Sequence, residues 1–460
     1  SGGSFGSVIE VKSKMPDDFE MHMDATGFMQ ESDRFGRDET LWGHKESISA
    51  GDRFGDLAVL GRFNHIENQG QPQMWDAQTL IADDDASLTG ETVTPVTGGQ
   101  YGKNTNGATT IITGDSGIEE MINDLYTVKA SYDLTDNLTA IFNINFEDFE
   151  RTTGVDDLAA RNYLSHGDGT QFWGTGKTWA SQDGYAFKPT QRSWGASRYA
   201  PSESVRQTLS YGFNLSGQVN DDWSIDTSAS YFDAFKDQTN SSDNSSLDLE
   251  NDKQSGKLAD KEMWWATFDF KLATDHFLDD ENLGFMWGYQ YNQADLNTVT
   301  NNYSSRYETY QSQDAGGETE LHSGFAQLDY DFLGDFNIMA GARLDIWSAS
   351  GGHDVKTSRH WKTGVLTTEK KFFDDRHQQR ISPKASISWE PNEFSARYSF
   401  SRAYRFALAQ ELYESTSKSQ DLINVADPSL GPESGNFHNL TLAYEIPEGL
   451  VSVDFFYNTI

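Results

Sequence analysis

Apolar and polar side chains alternate along most of this chain with a period of two, the spacing that sends successive side chains to opposite faces of a β-strand. In residues 125–147, Tyr126, Val128, Ala130 and Tyr132 alternate with Thr127, Lys129 and Ser131. After a turn at residues 134–137, Leu138, Ala140, Phe142, Ile144 and Phe146 alternate with Thr139, Asn143, Asn145 and Glu147, broken only by Ile141. One face is oily and the other wet. The same hairpin plan returns at residues 210–231 around Asn220-Asp221-Asp222, at 325–347 around Leu333-Gly334-Asp335, and at 381–400 around Pro391-Asn392-Glu393. Further turns stand at residues 52–55 and at Pro447-Glu448-Gly449, with a looser one between Asp275 and Glu281. Together they predict about seven short turns and about fifteen strands.

The intervening connections are of another kind. Residues 67–121 and 152–204, with smaller stretches near 239–261, 297–318, 350–376 and 403–436, are rich in Gly, Asn, Asp and Ser. A compact soluble domain rarely holds several structureless loops of this length, whereas an outer-membrane barrel has short periplasmic turns and long extracellular loops. The pattern therefore predicts an all-β fold, an antiparallel transmembrane β-barrel. Tyr132, Phe146, Trp223, Tyr330, Phe332, Phe336, Trp389, Phe394 and Tyr444 stand beside short turns or strand ends, where aromatic girdles meet the membrane interface. The rival is the aromatic core of a soluble sandwich or propeller. Propeller blades repeat at a fixed period, and these hairpins do not.

Composition bears on the choice of solvent. The mean hydropathy is −0.65 and no stretch of about 18 apolar residues occurs, which excludes helical spans. A low mean does not exclude a barrel, because a barrel strand offers lipid only every second side chain. Lys and Arg number 35 against 71 Asp and Glu, a formal charge of −36, which excludes nucleic acid as a partner. The acidity fits either a solvated surface or loops set among lipopolysaccharide phosphates and bridged by divalent cations. With no cysteine among 460 residues, disulfides, thiolate metal sites and thiol nucleophiles are absent. The chain starts at Ser1 in mid-pattern and stops at Ile460 within an alternating run, the expectation for an internal fragment.

Two segments carry more than architecture. Residues 1–14, SGGSFGSVIEVKSK, hold a Gly-rich turn followed by a short alternating strand. Residues 401–414, SRAYRFALAQELYE, are followed by DPSLGPE at 427–433. The first resembles the last strand of the plug domain of TonB-dependent outer-membrane receptors, with Glu10 in place of the usual Asn. The second is similar to that family's barrel motif, with Arg402, Tyr404, Arg405, Glu411, Leu412, Tyr413, Pro428, Leu430, Pro432 and Glu433 on matching positions, Leu408 near an expected proline and Asp427 in place of Asn. GARLDIWSA at 341–349 resembles the family's Gly-x-Arg-x-Asp strand. The resemblance implies a parent with a plug inside a 22-stranded barrel. This chain would supply the plug's end at residues 1–14 and about 15 wall strands over 15–460, leaving the barrel open or incomplete, with edge strands near 19–30 and 450–460.

The resemblance also implies function. Such receptors import a scarce nutrient with energy passed through TonB from the inner membrane; they are not enzymes and need no cofactor. A ferric siderophore is the expected cargo, with an oligosaccharide or cobalamin as alternatives. Haem is disfavoured because residues 406–427 contain no histidine, although His438 lies just beyond. A passive porin would lack the plug-like residues 1–14, and a soluble secreted carbohydrate-binding protein or hydrolase is the reading from another class. No Gly-x-Ser-x-Gly elbow, Walker loop or His-Glu-x-x-His is present.

Candidate cargo contacts lie in the 152–204 loop: Arg161, Trp173, Trp179, Tyr185, Arg192, Trp194, Arg198 and Tyr199, together with Phe172. Aromatic faces and guanidinium groups suit an iron chelate of catecholate or carboxylate type, by stacking and charge pairing. Such side chains also simply pack a loop against a barrel mouth. The motif residues Arg402, Arg405, Glu411, Tyr413, Pro428, Leu430, Pro432 and Glu433 are read as holding the loop that reverses the chain at 403–436, through charge-assisted hydrogen bonds. No metal site is expected: Asp83-Asp84-Asp85 lacks the spacing of a Ca²⁺ loop, and His22, His44 and His322 form no pair at ligand spacing.

Overall fold

A computed structural model describes residues 15–104, 106–154, 161–174, 177–189, 201–242, 256–304, 307–360, 362–413 and 426–459. The plug-like residues 1–14 lie outside them.

Period-two alternation becomes one antiparallel sheet of sixteen strands. In chain order these are β1 (Glu20–Arg34), β2 (Arg37–Phe54), β3 (Leu57–Gly70), β4 (Glu119–Thr135), β5 (Leu138–Thr153), β6 (Ser202–Gln218), β7 (Trp223–Ser242) and β8 (Gly256–Thr274). There follow β9 (Leu283–Ser304), β10 (Tyr307–Phe332), β11 (Phe336–Arg359), β12 (Leu366–Phe372), β13 (Arg376–Trp389), β14 (Phe394–Arg405), β15 (Glu433–Ile446) and β16 (Gly449–Thr459). Fifteen of them form an unbroken path in chain order, and β12 pairs only with the far end of β11. The path ends at β1 and β16, the two edges expected from the sequence.

Register keeps the two faces distinct from strand to strand. Val59, Ala130, Phe142, Phe213, Ala229, Phe268 and Tyr291 stand opposite one another in turn across β3 to β9. A second row runs Tyr330, Ile338, Ile387, Tyr398, Leu440, Phe455 across β10 to β16. Large apolar side chains on this face, such as Val128, Ile338 and Phe455, are exposed, as a lipid-facing band requires. On the opposite face Lys129, Asn143, Gly212, Ser230, Thr267 and Asn292 form the matching polar row. A one-residue slip anywhere would send charge into lipid, which is why register is so strongly specified.

The expected short turns join β2–β3, β4–β5, β6–β7, β8–β9, β10–β11, β13–β14 and β15–β16 at one end. Beside them Tyr330, Phe332, Phe336, Trp389 and Phe394 form a chain of ring contacts with centroids 5.4 to 6.3 Å apart. These are five of the nine aromatics expected at that interface, whereas Phe146 lies midway along β5 and stacks on Phe235.

The other end departs from expectation in four ways. Residues 297–318, expected as a loop, are hairpin: β9 runs to Ser304 and β10 starts at Tyr307. Most of 350–376 likewise belongs to β11 and β12, and β1 and β2 meet in a two-residue turn, Phe35-Gly36, with both φ values positive (52° and 81°). That turn conformation matches strand twist and favours glycine. The two longest loops are not structureless. Between them they supply eight short strands in two four-stranded sheets around a core of Val96, Ile111, Leu164, Phe172, Ala180 and Phe187, a cap folded from two separate connections. Polar residues on both strand faces are tolerated outside lipid, so the alternation that betrays a membrane strand fades there.

The face assignment is testable. Val128→Arg should destabilise the barrel by about 2–4 kcal/mol in urea titrations in bilayers, whereas Thr127→Arg, on the polar face, should cost much less.

Candidate functional site

At the long-loop end the polar face becomes aromatic. Phe232 stands opposite Trp265, which stands opposite Ala294 and then Thr319, and one rung along Leu321 stands opposite Trp347. Phe232 and Trp265 stack with centroids 3.8 Å apart and planes 10° off parallel. A cavity of about 290 Å³ lies against this surface, lined by Trp265, Thr267, Ala294, Leu321, Trp347 and Phe406. The last comes from the chain after β14, which folds back over the inner wall.

That fold-back is a clasp. After Arg405 the chain makes one short helix, α1 (Ala409–Tyr413), whose residues Ala409, Leu412 and Tyr413 are buried with Phe406 against Leu296, Leu321, Trp347 and Ala349. Phe406 stacks on Trp347 at 5.8 Å. Tyr413 lies over Gly317 and Gly352, where a Cβ would clash with its ring carbons. Charge closes the loop. Arg405 pairs with Glu411, and its other guanidinium nitrogen lies 3.6 Å from Glu433. Glu411 also accepts a hydrogen bond from the Leu408 N–H at 2.9 Å. From β13, Arg376 donates to the carbonyl oxygens of Pro428 and Leu430 and lies over the Trp347 ring. Pro432 leads directly into β15 at Glu433, and exposed Arg402 lies over the Tyr404 ring at 5.0 Å. Burial would raise the Glu411 carboxyl, but the hydrogen bonds from Arg405 and Leu408 outweigh it and hold the group below its ordinary value of 4.5.

The Gly-x-Arg-x-Asp strand also has a physical reading. Arg343 and Asp345 on β11 pair at 2.6 Å, and the guanidinium donates to Gln290 of β9 and to Ser323 of β10, tying three wall strands together on the inner face.

The cap holds the loop residues singled out in the sequence. Arg161 pairs with Glu39 of β2 and so ties the cap to the wall, and Lys188 lies 4.4 Å over the Trp179 ring within the cap. Trp173 and Tyr185 are exposed on it. Arg192, Trp194, Arg198 and Tyr199 lie outside the described residues. A buried ion pair anchors the cap: Arg37, 2% exposed, meets Asp115 at 2.6 Å, and Tyr163 donates to the same carboxylate. Burial, and then that hydrogen bond, push the Tyr163 phenol well above its ordinary range.

Sequence reasoning missed Phe232, Trp265 and Trp347 as a site. The available signal was phase: Trp265 falls on the positions of β8 that should be polar, while its neighbour Trp264 continues the outward row.

Residues 151–460 match the family described as TonB dependent receptor-like, beta-barrel. Among solved structures, the ferric yersiniabactin uptake receptor FyuA from Yersinia pestis superposes with a TM-score of 0.51 at 10% identity, covering 97% of this chain and 55% of that one. The ferripyoverdine receptor of Pseudomonas aeruginosa gives 0.52 at 11% identity, with 97% and 49% covered. The copper transporter OprC gives 0.51 at 10% identity, with 95% and 53% covered. The chain thus spans about half the length of these structures. No curated protein matches it by sequence.

Two measurements probe the clasp. Because the Glu411 carboxyl is lowered in the fold, its contribution is complete above pH 4.5 and is lost as pH falls through the lowered value. Protection factors of residues 406–413 in hydrogen exchange, corrected for the intrinsic slowing of exchange in acid, should therefore fall on acidification, and Glu411→Gln should flatten that dependence. Arg405→Ala should cost about 1–2 kcal/mol by thermal melting.

Proposed function

Since the chain belongs to the TonB-dependent receptor family and forms wall strands of its outer-membrane β-barrel, we propose that it serves the active uptake of a ferric siderophore. On this reading the long loops face outward and the aromatic pocket at the mouth meets the chelate first. On this reading energy comes from the TonB complex through a plug, to whose last stretch the sequence of residues 1–14 is similar. The chain does transport, not covalent chemistry. Lipid, and lipopolysaccharide at the rim, surround the apolar band.

The observation that carries the cargo class is the pocket. Its volume of about 290 Å³ is small for a whole iron chelate but suits one planar arm, gripped between Trp265 and the Trp347–Phe406 stack. Arg376 lies over the Trp347 ring but outside the lining, whose charged member is Glu320, so the reading rests on the stacking faces of Trp265, Trp347 and Phe406. Trp173 and Tyr185, exposed on the cap, are suited to an earlier contact. Two of the similar solved proteins are described as receptors for ferric yersiniabactin and ferripyoverdine.

Quenching of tryptophan fluorescence by ferric catecholate, ferric carboxylate, oligosaccharide and cobalamin ligands tests this directly. One ferric chelate should bind, and Trp265→Ala should weaken it by about tenfold or more. Binding of an oligosaccharide or cobalamin alone would replace the siderophore reading with that cargo.

A further inference from the structure

Transport makes no use of a second cluster, on the outer wall. The row that holds Ile48 opposite Phe63 continues toward the long-loop end with Glu46 opposite His65 and His44 opposite Glu67. Apolar pairs give way to imidazole and carboxylate within one rung, on the same outward face. His44, Glu46 and His65 each offer one ligand atom, and these atoms all lie within 4.8 Å of one another. The two imidazole rings are 5.5 Å apart and tilted by 30°.

The surroundings are those of a metal centre. Asp124 of β4, opposite His65, lies 2.6 Å from its Nδ1. A carboxylate at that nitrogen keeps the proton there, orients the ring and leaves the Nε2 lone pair available, as partners behind metal-bound histidines do. Glu46 approaches His44 Nδ1 at 3.0 Å, and Glu67 lies 3.6 Å from His44 Nε2. Two neutral imidazoles and one carboxylate, with further carboxylates behind them, balance a dipositive charge. The donor set selects the cation: imidazole suits Zn²⁺ and its neighbours, whereas Ca²⁺ takes six to eight oxygens. His44 and Glu46 side chains are 47% and 46% exposed, so ions can enter and a further coordination position stays open to water.

We propose that His44, Glu46 and His65 form a divalent transition-metal site of the Zn²⁺ class on the outer rim of the barrel, with Asp124 as the positioning residue. The site bridges β2 and β3 where the apolar band stops. It is independent of the cargo.

Calorimetric titration of the full chain, purified in detergent and stripped with chelator, tests the site with ZnCl₂, CaCl₂ and MgCl₂ in parallel. One Zn²⁺ per chain should bind in preference to Ca²⁺ and Mg²⁺, and that binding should be lost in a His44→Gln/His65→Gln double variant whose circular dichroism retains the sheet. Asp124→Asn, which leaves all three ligands in place, should weaken Zn²⁺ by about 10–100-fold. Zn²⁺ affinity that is unchanged in the double variant, equal affinity for Ca²⁺, or no Zn²⁺ binding by the folded parent would each overturn the assignment.

Discussion

Within hydrocarbon a backbone N–H or C=O has no water to turn to, so each must be paired inside the protein. The unbroken ladder from β1 to β16 is the answer to that constraint, and most other features follow from it. Strands that are neighbours in sequence pair in space, so one set of connections can be as short as two residues. Pairing in fixed register propagates the alternation of a single strand around the whole wall. The outward rows are oily because lipid meets them, and the inward rows are hydroxyl, amide and charge because the interior does not.

The long-loop end solves a different problem. Beyond lipid the ladder is no longer obligatory, and the chain builds with side chains instead. The cap is fixed by a buried Arg37–Asp115 pair, the clasp by Leu412 and Tyr413 sunk against the inner wall and by the Arg405–Glu411–Glu433 charges. A buried pair tolerates loss of one partner poorly, since the survivor is left charged and dry. Apolar packing of the clasp has a second effect. It shapes the aromatic pocket, because Phe406 is at once part of the clasp core and part of the pocket lining.

Register also governs what the outer surface offers. The β2–β3 rungs change from Ile48 and Phe63 to Glu46, His65, His44 and Glu67 without changing face. The pairing that keeps charge out of the membrane therefore gathers it just above. The inner wall behaves alike, since the pairing that brings Trp265 beside Phe232 also holds Ser230 to Thr267 at 2.6 Å.

What was legible from the sequence was whatever depends on neighbours in the chain. Period two, the seven short turns, the apolar face and the family motifs are all local, because a strand's facing is set by its own side chains and a tight turn by its own few residues. Arg405 and Glu411 are only six residues apart, and their pairing was foreseeable for that reason. The alternation fades where a strand is covered on both faces, as Thr109–Asp115 is in the cap, or is polar on both, which is why the hairpin over 297–318 and the two small sheets of the cap were hidden. Tertiary structure alone decided that Phe406 would meet Trp347, that Trp265 would stack on Phe232, and that His44 would meet His65. Each of those contacts needs a register or a fold-back between distant segments, and closing such loops is favoured by the sum of the packing rather than by any one residue's preference.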